Sequence, residues 1–308
     1  MMPHDSGGRP ARGLLLGALL AVVFWGISFV ATKAALREVP PVALIFTRFT
    51  IGSALLATIL ASRGERLLPP LDSLLPLAAM GFVGIFVHQM LQAYGLTMTT
   101  AANTGWLIGL IPIWSALLSA IFLGERFPCS RVAGLAVGCA GALLVVTRGE
   151  LGAHLIALPA TRGDLLILAS TLTWAIYTVL GHGTLRALGP ARASAGAMML
   201  GCAMLAPFYV RSGGWRHYEG LSAQGWIAML FLGICCSGLG YFFWYAALEK
   251  IEASRVASLL YLEPLVTLGA AVTLLGETVR PTVAAGGLLV LAGVALVQRR
   301  PAVRRGAG

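Results

Sequence analysis

The sequence predicts an all-α integral membrane protein with ten transmembrane helices, arranged as two inverted five-helix repeats. Three observations lead to this fold class: the composition, ten apolar runs of membrane-spanning length, and a duplication within the chain. Of the 308 residues, 58% are hydrophobic and only 11% are charged, and the mean hydropathy is +0.85. Soluble domains carry roughly a quarter charged residues. The composition therefore excludes a water-soluble fold.

Ten apolar runs have about the 20 residues that an α-helix needs to cross a bilayer. In order they cover residues 14–36, 41–62, 74–96, 101–123, 132–147, 165–182, 191–210, 225–248, 254–275 and 281–298. Prolines open several of them, as at Pro41 and Pro281, because the first helical turn has no partner for a backbone N–H. The first run is longer than a signal-peptide core and lacks a small-residue cleavage site, so we expect it to be retained as a span.

The charge distribution predicts the orientation. The 22 basic and 12 acidic residues give a net charge of +10, which is also typical of nucleic-acid binding. Here, however, all the basic residues except Arg48 lie between apolar runs or near their ends. With a cytoplasmic N-terminus, 14 of them fall on the inside and 7 on the outside. The positive-inside rule then predicts a multi-pass protein of the cell inner (plasma) membrane with both termini cytoplasmic and no nucleic-acid partner.

The two halves of the chain resemble each other. Residues 105–146 match residues 257–297 at a constant offset of 152. The identities pair Pro112 with Pro264, Gly124-Glu125 with Gly276-Glu277, Gly134 with Gly286, and Gly141 with Gly293. Nearer the start the offset becomes 149, which pairs Trp25 with Trp174 and Pro41 with Pro190. Because five helices is an odd number, the second copy enters the membrane in the opposite orientation, as in many transporters that work by alternating access.

This duplication predicts five segments. They are a cytoplasmic N-terminal tail (1–13), a first five-helix repeat (14–147), a connecting loop (148–163), a second five-helix repeat (164–298) and a basic cytoplasmic C-terminal tail (299–308). The connecting loop contains Arg148, Glu150, His154 and Arg162, with Asp164 at its end, and we expect it to be a solvated external connection.

Several short motifs follow one another along the chain, and some of them have a counterpart in the second repeat. They are Phe24-Trp25-Gly26 with Ser28-Phe29, Arg48-Phe49, Ile111-Pro112 running to Leu123-Gly124-Glu125-Arg126, Gly134 to Gly141, Glu263-Pro264, and Leu275-Gly276-Glu277. In these motifs, over residues 14–298, the chain resembles the EamA family of the drug/metabolite transporter superfamily. The resemblance implies ten helices, cytoplasmic termini, a central cavity between the halves, and export of amino acids, related metabolites or toxic compounds.

Two charges lie deep inside the predicted spans. Glu263 is about eight residues into the ninth span and Arg48 about seven into the second, which runs the opposite way. A charge at such a depth indicates a functional site by default. Glu263 is a candidate for proton coupling, or alternatively a support for the helix break that Pro264 makes. Arg48 is a candidate for substrate contact, a carbonyl contact or a structural salt bridge, and the two charges are close enough in depth to pair.

Polar and aromatic side chains inside the spans are candidates for a substrate cavity. In the third span, His88, Gln89 and Gln92 share one helix face, which suits either a cavity or hydrogen bonding between helices. Aromatic residues well inside spans suit an amphiphilic solute, although any one of them could serve packing alone. The full set of cavity candidates is Trp25, Ser28, His88, Gln89, Gln92, Trp106, Trp174, Tyr177, Tyr241, Trp244 and Tyr261.

Two further features have structural interpretations. Glu125 and Glu277 each precede a proline that opens the next helix, and we expect their carboxylates to complement the N-termini of those helices. Gly134, Gly138 and Gly141 have the small-xxx-small spacing that lets helices approach closely, either within the chain or in a homodimer.

Transport is the predicted function, with a small-molecule substrate, membrane lipids as surroundings and protons as a candidate coupling ion. A lipid or lipid-linked precursor flippase is the alternative within transport. An enzyme would need a nucleophile with a base, or a metal cluster, and the sequence contains neither pattern. We therefore predict no catalytic residues, no metal and no cofactor. A sensor subunit would need a sizeable extramembrane domain, and the sequence predicts none, which counts against this alternative. Substrate, direction, coupling and the choice between monomer and homodimer remain open.

Overall fold

The computed structural model describes residues 8–65, 69–124, 128–150, 158–251, 256 and 258–298. Within them, nine helices are long and apolar enough to cross a membrane, and a tenth apolar helix is shorter. In chain order we number these spans 1 to 10: Gly8–Ala35, Pro41–Ser62, Leu71–Met98, Ala101–Phe122, Cys129–Thr147, Pro159–Leu188, Pro190–Arg211, Ala223–Leu248, Leu259–Leu275 and Pro281–Gln298. The predicted all-α membrane fold of ten helices is confirmed.

The helices extend beyond several of the apolar runs. Span 1 begins at Gly8, inside the predicted tail, and span 6 begins at Pro159, inside the predicted connecting loop. An apolar run marks only the part of a helix that lies in the hydrocarbon core of the membrane. The helix continues beyond it through polar residues, because its backbone hydrogen bonds do not depend on apolar side chains. Residues 1–7, 151–157 and 299–308 of the predicted tails and loop lie outside the described residues.

Both repeats interrupt the α-helix at matching places. Spans 3 and 8 contain π-helical segments, Gly81–Val87 and Phe231–Gly240, which begin almost one repeat offset apart. Span 4 is broken between Ala101–Ile108 and Ile111–Leu123, and span 9 changes from a 3-10 segment to an α-helix at Glu263. The breaks precede Pro112 and Pro264, which lack the N–H that would continue the ladder. Segments of π-helix are frequent at functional sites.

The two halves interleave rather than lying side by side. Span 1 packs against spans 8 and 9, and span 6 packs against the equivalent spans 3 and 4. Span 2 packs against span 8, and span 7 against the equivalent span 3. The remaining major contacts join equivalent spans directly: 2 with 7, 4 with 9, and 5 with 10. The interior of the bundle is therefore an interface between the two repeats, related by an approximate two-fold axis.

Spans 5 and 10 make the most extensive helix contact, and glycines allow it. A Cβ on Gly134 would lie 2.6 Å from the carbonyl oxygen of Gly293, and a Cβ on Gly141 would lie 2.5 Å from that of Gly286. These approaches leave no room for a side chain. The predicted small-residue stripe is therefore used within the chain.

Candidate functional site

Arg48 lies in the interior of span 2 and is 5% exposed. Its Nε donates a hydrogen bond to the Ser237 hydroxyl at 2.8 Å, in the π-helical segment of span 8. On the neighbouring residue, the carbonyl oxygen of Cys236 accepts a hydrogen bond from the Trp25 indole Nε1 at 3.0 Å. Consecutive residues of span 8 therefore bind an arginine of span 2 and a tryptophan of span 1.

Aromatic rings continue from this point along span 8. The ring of Trp25 lies 5.6 Å from that of Tyr241 and 5.2 Å from that of Trp244, and Tyr241 lies 5.9 Å from Tyr245. Tyr241 is buried, whereas Trp25 and Trp244 are half-buried. Ser28, one turn further along span 1, is buried and donates to the Trp25 carbonyl oxygen. The sequence-predicted aromatic residues of spans 1 and 8 are thus brought together.

His88 connects this region to span 6. It is 3% exposed, and its Nδ1 lies 2.8 Å from the Ser170 carbonyl oxygen and 3.3 Å from the Thr173 hydroxyl. Its ring centroid is 5.0 Å from that of Trp174, which in turn lies 5.1 Å from that of Tyr177. Trp174 therefore contacts span 3 much as its repeat equivalent, Trp25, contacts span 8.

These residues close into one group across the repeat interface. Arg48 is within electrostatic reach of His88 and Tyr241, and Tyr241 is within reach of Tyr177. We call the group the central cluster: Trp25, Arg48, His88, Trp174, Tyr177, Tyr241 and Trp244. It offers one fixed positive charge, hydroxyl and imidazole groups, and half-buried tryptophan faces. This chemistry suits a small amphiphilic solute.

Gln89 and Gln92 lie beside His88 on span 3 and face the interior. They are 6% and 9% exposed. Among the described residues, neither side-chain amide makes a hydrogen bond. Buried amides normally have partners. They are therefore available to water or to a solute.

Trp106 and Tyr261 lie apart from the central cluster. Trp106 is 2% exposed and covers Gly287 of span 10, where an added Cβ would lie 2.1 Å from the indole ring. Its indole N–H has no partner among the described residues. The Tyr261 hydroxyl donates to the Val294 carbonyl oxygen at 3.3 Å, also in span 10. Both residues pack around the contact between spans 5 and 10.

Glu263 is the first residue of the α-helix in span 9 and is half-buried. It lies where span 9 packs against span 1, since an added Cβ on Gly26 would be 3.1 Å from its carbonyl oxygen. Within the described part of the chain its carboxylate has no hydrogen bond or ion pair. It does not pair with Arg48, because Arg48 faces span 8 from span 2.

A buried polar network joins the two halves at the end of the bundle where spans 1, 3 and 5 end. Asp164, with a fully buried side chain, accepts hydrogen bonds from the Thr99 hydroxyl, from Asn103 Nδ2 at 3.2 Å and from Arg148 Nη2 at 2.8 Å. The expectation of a solvated connection is therefore wrong for Arg148 and Asp164. The extra turn of span 6 carries Asp164 into the bundle instead of into solvent.

The same network includes Lys33 and Glu277. Lys33 Nζ donates to the carbonyl oxygens of Leu96 and Thr99, at the end of span 3. Glu277 accepts the backbone N–H groups of Ala101 and Ala102 at 2.9 Å each, at the N-terminus of span 4. Glu277 does bind a helix N-terminus, but not that of span 10 as the local sequence suggested. Helix packing places the free N–H groups at the start of span 4, in the other half of the chain, within hydrogen-bonding distance of Glu277. Glu125 lies outside the described residues.

Glu38 adds a second link at this end. It accepts the Ser222 backbone N–H and the Ser222 hydroxyl, both at 2.7 Å. These hydrogen bonds lower the pKa of the Glu38 carboxyl because they stabilise the ionised form. We call Lys33, Thr99, Asn103, Arg148, Asp164 and Glu277 the polar end network.

Sequence reasoning missed several of these partners. Ser237 and Tyr245 complete the surroundings of Arg48 and Tyr241, and Lys33 and Asp164 belong to the polar end network. Ser237 carries a usable signal, since it is an isolated hydroxyl within a long apolar run next to Cys236. Lys33 and Asp164 carry a weaker signal, because charges near the ends of spans are ordinary.

Comparison with known proteins tests the predicted family and its two-repeat fold. The model of the EamA-like transporter family matches residues 12–147 and again residues 161–299. The chain belongs to the EamA-like transporter family. The two matches fall on the two halves in which the duplication was found. The predicted family and the two-repeat membrane fold are confirmed.

Several relatives of this EamA-like chain span nearly its whole length. An "uncharacterized transporter" of Archaeoglobus fulgidus is 34% identical over 91% of this chain and 97% of its own. A "probable terminal-alkyne amino-acid exporter" of Streptantibioticus cattleyicolor is 28% identical over 93% and 94%. A "probable amino-acid metabolite efflux pump" of Salmonella typhimurium is 28% identical over 90% and 92%. The family and these relatives are transporters, and so is this chain.

A solved structure described as "Crystal structure of protein" has the same fold. It is 24% identical, superimposes with a TM-score of 0.66, and the match covers 93% of this chain and 96% of the other. At this identity the similarity supports the fold alone.

Proposed function

We propose that this EamA-like chain exports amino acids or related amphiphilic metabolites across the inner membrane by alternating access. The observation that carries the proposal is the central cluster, which lies buried between two repeats of opposite orientation. Two similar packings of opposite orientation make an inward-open and an outward-open state nearly equal in energy. Two relatives, named an amino-acid exporter and an amino-acid metabolite efflux pump, support the same substrate class.

The orientation belongs to the same proposal. With both termini in the cytoplasm, the polar end network lies on the outer side, because spans 1, 3 and 5 run outward. Its hydrogen bonds join the start of span 6 and the loop after span 9 to the first repeat. In an export cycle these contacts would hold the outer end closed and would separate when the carrier opens outward.

The test is flux through purified protein in proteoliposomes, using labelled phenylalanine, leucine, lysine and an organic cation. We expect phenylalanine and leucine to move. Because one aromatic contact contributes about 0.5–1.5 kcal/mol, Trp25→Ala should reduce phenylalanine flux about two- to tenfold.

Trp215→Ala is the matched control. Trp215 is 47% exposed and lies in the short 3-10 segment after span 7, away from the central cluster. Flux that falls equally in both variants, or in neither, would count against a substrate site at Trp25. Absence of flux for every compound would remove the exporter proposal.

Glu263 is the proposed coupling residue. Its carboxyl group has no partner within the described residues, and such a group inside the membrane can bind and release a proton during the cycle. An imposed pH gradient should accelerate export by the wild type, and Glu263→Gln should abolish that acceleration. Uphill substrate accumulation driven by the gradient is the measurement.

Glu249→Gln is the control for this variant. Glu249 is an exposed acid at the end of span 8, so its neutralisation should leave the gradient effect intact. If export by the Glu263→Gln variant still responds to the gradient, Glu263 supports the helix break alone. Transport without any gradient dependence in the wild type would make the protein a facilitator.

A lipid flippase has one observation in its favour. A shallow groove of about 300 Å³ lies between spans 2 and 7 on the surface of the bundle, lined by Phe46, Thr50, Ser53, Met199, Cys202, Ala203 and Ala206. It contains no charged group for a lipid headgroup, so it favours an acyl chain over a whole lipid. Translocation of a fluorescent phospholipid without flux of any amino acid would support this second candidate.

A further inference from the structure

Among the residues that the structure describes, the guanidinium of Arg48 has no counter-ion. Its Nε is satisfied by Ser237, and its carbon lies 5.2 Å from the centre of the Phe49 ring. Within the described residues, Nη1 and Nη2 have no hydrogen-bond acceptor. Two of its three nitrogens therefore have no partner in the described part of the chain, although the residue is 5% exposed and in the middle of a span.

The described segments of spans 3 and 8 that face Arg48 contain no carboxylate. Span 8 presents Cys236, Ser237 and Tyr241, and span 3 presents His88. Two acids within the bundle lie elsewhere: Asp164 binds Arg148, and Glu263 lies at the contact between spans 9 and 1.

Such a charge is costly unless something pairs with it. Charges buried in a membrane protein face a cavity or bind a partner, and an unpaired buried charge is strongly destabilising. A transporter can meet this requirement with its substrate. The guanidinium geometry matches a carboxylate, which accepts two parallel N–H groups in a bidentate pair.

We propose that Arg48 is the subsite for the carboxylate of the transported solute, so that this chain selects anionic or zwitterionic solutes over purely cationic ones. The inference rests on the proposed export function and makes its substrate class narrower. Because Cys236 and Ser237 hold Trp25 and Arg48 side by side, the half-buried faces of Trp25 and Trp244 receive the solute's apolar side chain. An organic cation without an acidic group would find a like charge at this position.

The experiment compares phenylalanine with phenylalaninamide, and leucine with leucinamide, as matched probes with and without a carboxylate. Equilibrium binding is measured on the full chain in nanodiscs. We expect the wild type to bind each acid at least about tenfold more tightly than its amide, and Arg48→Gln to lose that preference. Arg48→Lys should retain part of it, because an ammonium keeps the charge without the bidentate geometry.

Arg63→Gln is the control variant. Arg63 lies just beyond the end of the same span, over the ring of Phe242 at 4.7 Å, and its loss should not change the preference for acids. The binding measurement is repeated in nanodiscs of zwitterionic lipid and in nanodiscs of anionic lipid. The comparison distinguishes binding of a free carboxylate by Arg48 from binding of a lipid headgroup. Competition by anionic lipid alone would assign Arg48 to the lipid and overturn the proposal.

A second readout separates a substrate subsite from a structural role. Because no counter-ion for Arg48 lies within the described ranges of the chain, Arg48→Gln should leave the melting temperature measured without added solute unchanged or higher. Removing a structural arginine would lower it. If no acid binds the wild type more tightly than its amide, including the case in which none binds, the inference is wrong. Flux of acids and amides at equal rates would overturn it while leaving the exporter proposal standing.

Discussion

Replacing Gly141 with leucine should prevent spans 5 and 10 from packing and should yield little folded protein. A Cβ at this position would lie 2.5 Å from the Gly286 carbonyl oxygen and 2.6 Å from the Val290 backbone nitrogen. Backbone atoms cannot rotate away as a flexible side chain can. We expect a loss of about 3 kcal/mol, at the upper end of the range for overpacking. The yield of monodisperse protein and the melting temperature in detergent measure it.

Gly269→Leu provides the matched control. Gly269 lies in span 9, and an added Cβ there would have no heavy atom within 4 Å. The same side chain at this exposed position should be tolerated, because it would face open space. Equal losses in both variants would show that leucine in a helix, and not the contact between spans 5 and 10, causes the effect.

Replacing Asp164 with alanine should destabilise the protein by about 3 kcal/mol. Removing one partner of a buried ion pair leaves the other charge uncompensated, with costs of about 3–5 kcal/mol. The loss of stability should fall at the lower end of this range because the Arg148 side chain is 18% exposed and can reach water. Asn103 and Thr99 would also lose their acceptor. The melting temperature of the full chain in detergent is the measurement.

The ion pair between Arg280 and Glu150 serves as a comparison at the same end of the bundle. Its two side chains are 60% and 53% exposed, at a distance of 3.0 Å. Exposed pairs contribute under about 1 kcal/mol. Glu150→Gln should therefore change the melting temperature far less than Asp164→Ala. Equal effects would mean that burial does not decide the strength of these contacts.

Much of the candidate site was visible in single residues before their partners were known. Arg48 and Glu263 stand out because charges are rare inside apolar runs, and Trp25 and Trp174 because the repeat pairs them. Their pairing was not predictable. Arg48 binds a serine hydroxyl and not Glu263, because span 2 faces span 8 while Glu263 faces span 1.

The aromatic candidates for the substrate cavity fall into two groups in the structure, for the same reason. Trp25, His88, Trp174, Tyr177, Tyr241 and Trp244 meet in the central cluster, whereas Trp106 and Tyr261 pack near span 10. All eight are aromatic or heteroaromatic residues within helical, largely apolar segments, and nothing local distinguishes the two groups. The direction in which each span turns its faces depends on the neighbouring spans, whose contacting residues lie from about 30 to more than 200 positions away along the chain.

The amino-acid sequence by itself determined that this protein is a membrane protein, that it has ten helices, and that its halves are inverted copies. These properties depend on the length of apolar runs and on a duplicated pattern, and both are local or periodic. Only the tertiary structure decided which charges are partnered. Glu277 caps span 4 instead of span 10, Asp164 turns inward to Arg148, and two nitrogens of Arg48 have no acceptor among the residues described. Hydrogen bonds form over about 3 Å, and only the packing of distant helices brings two groups within that distance.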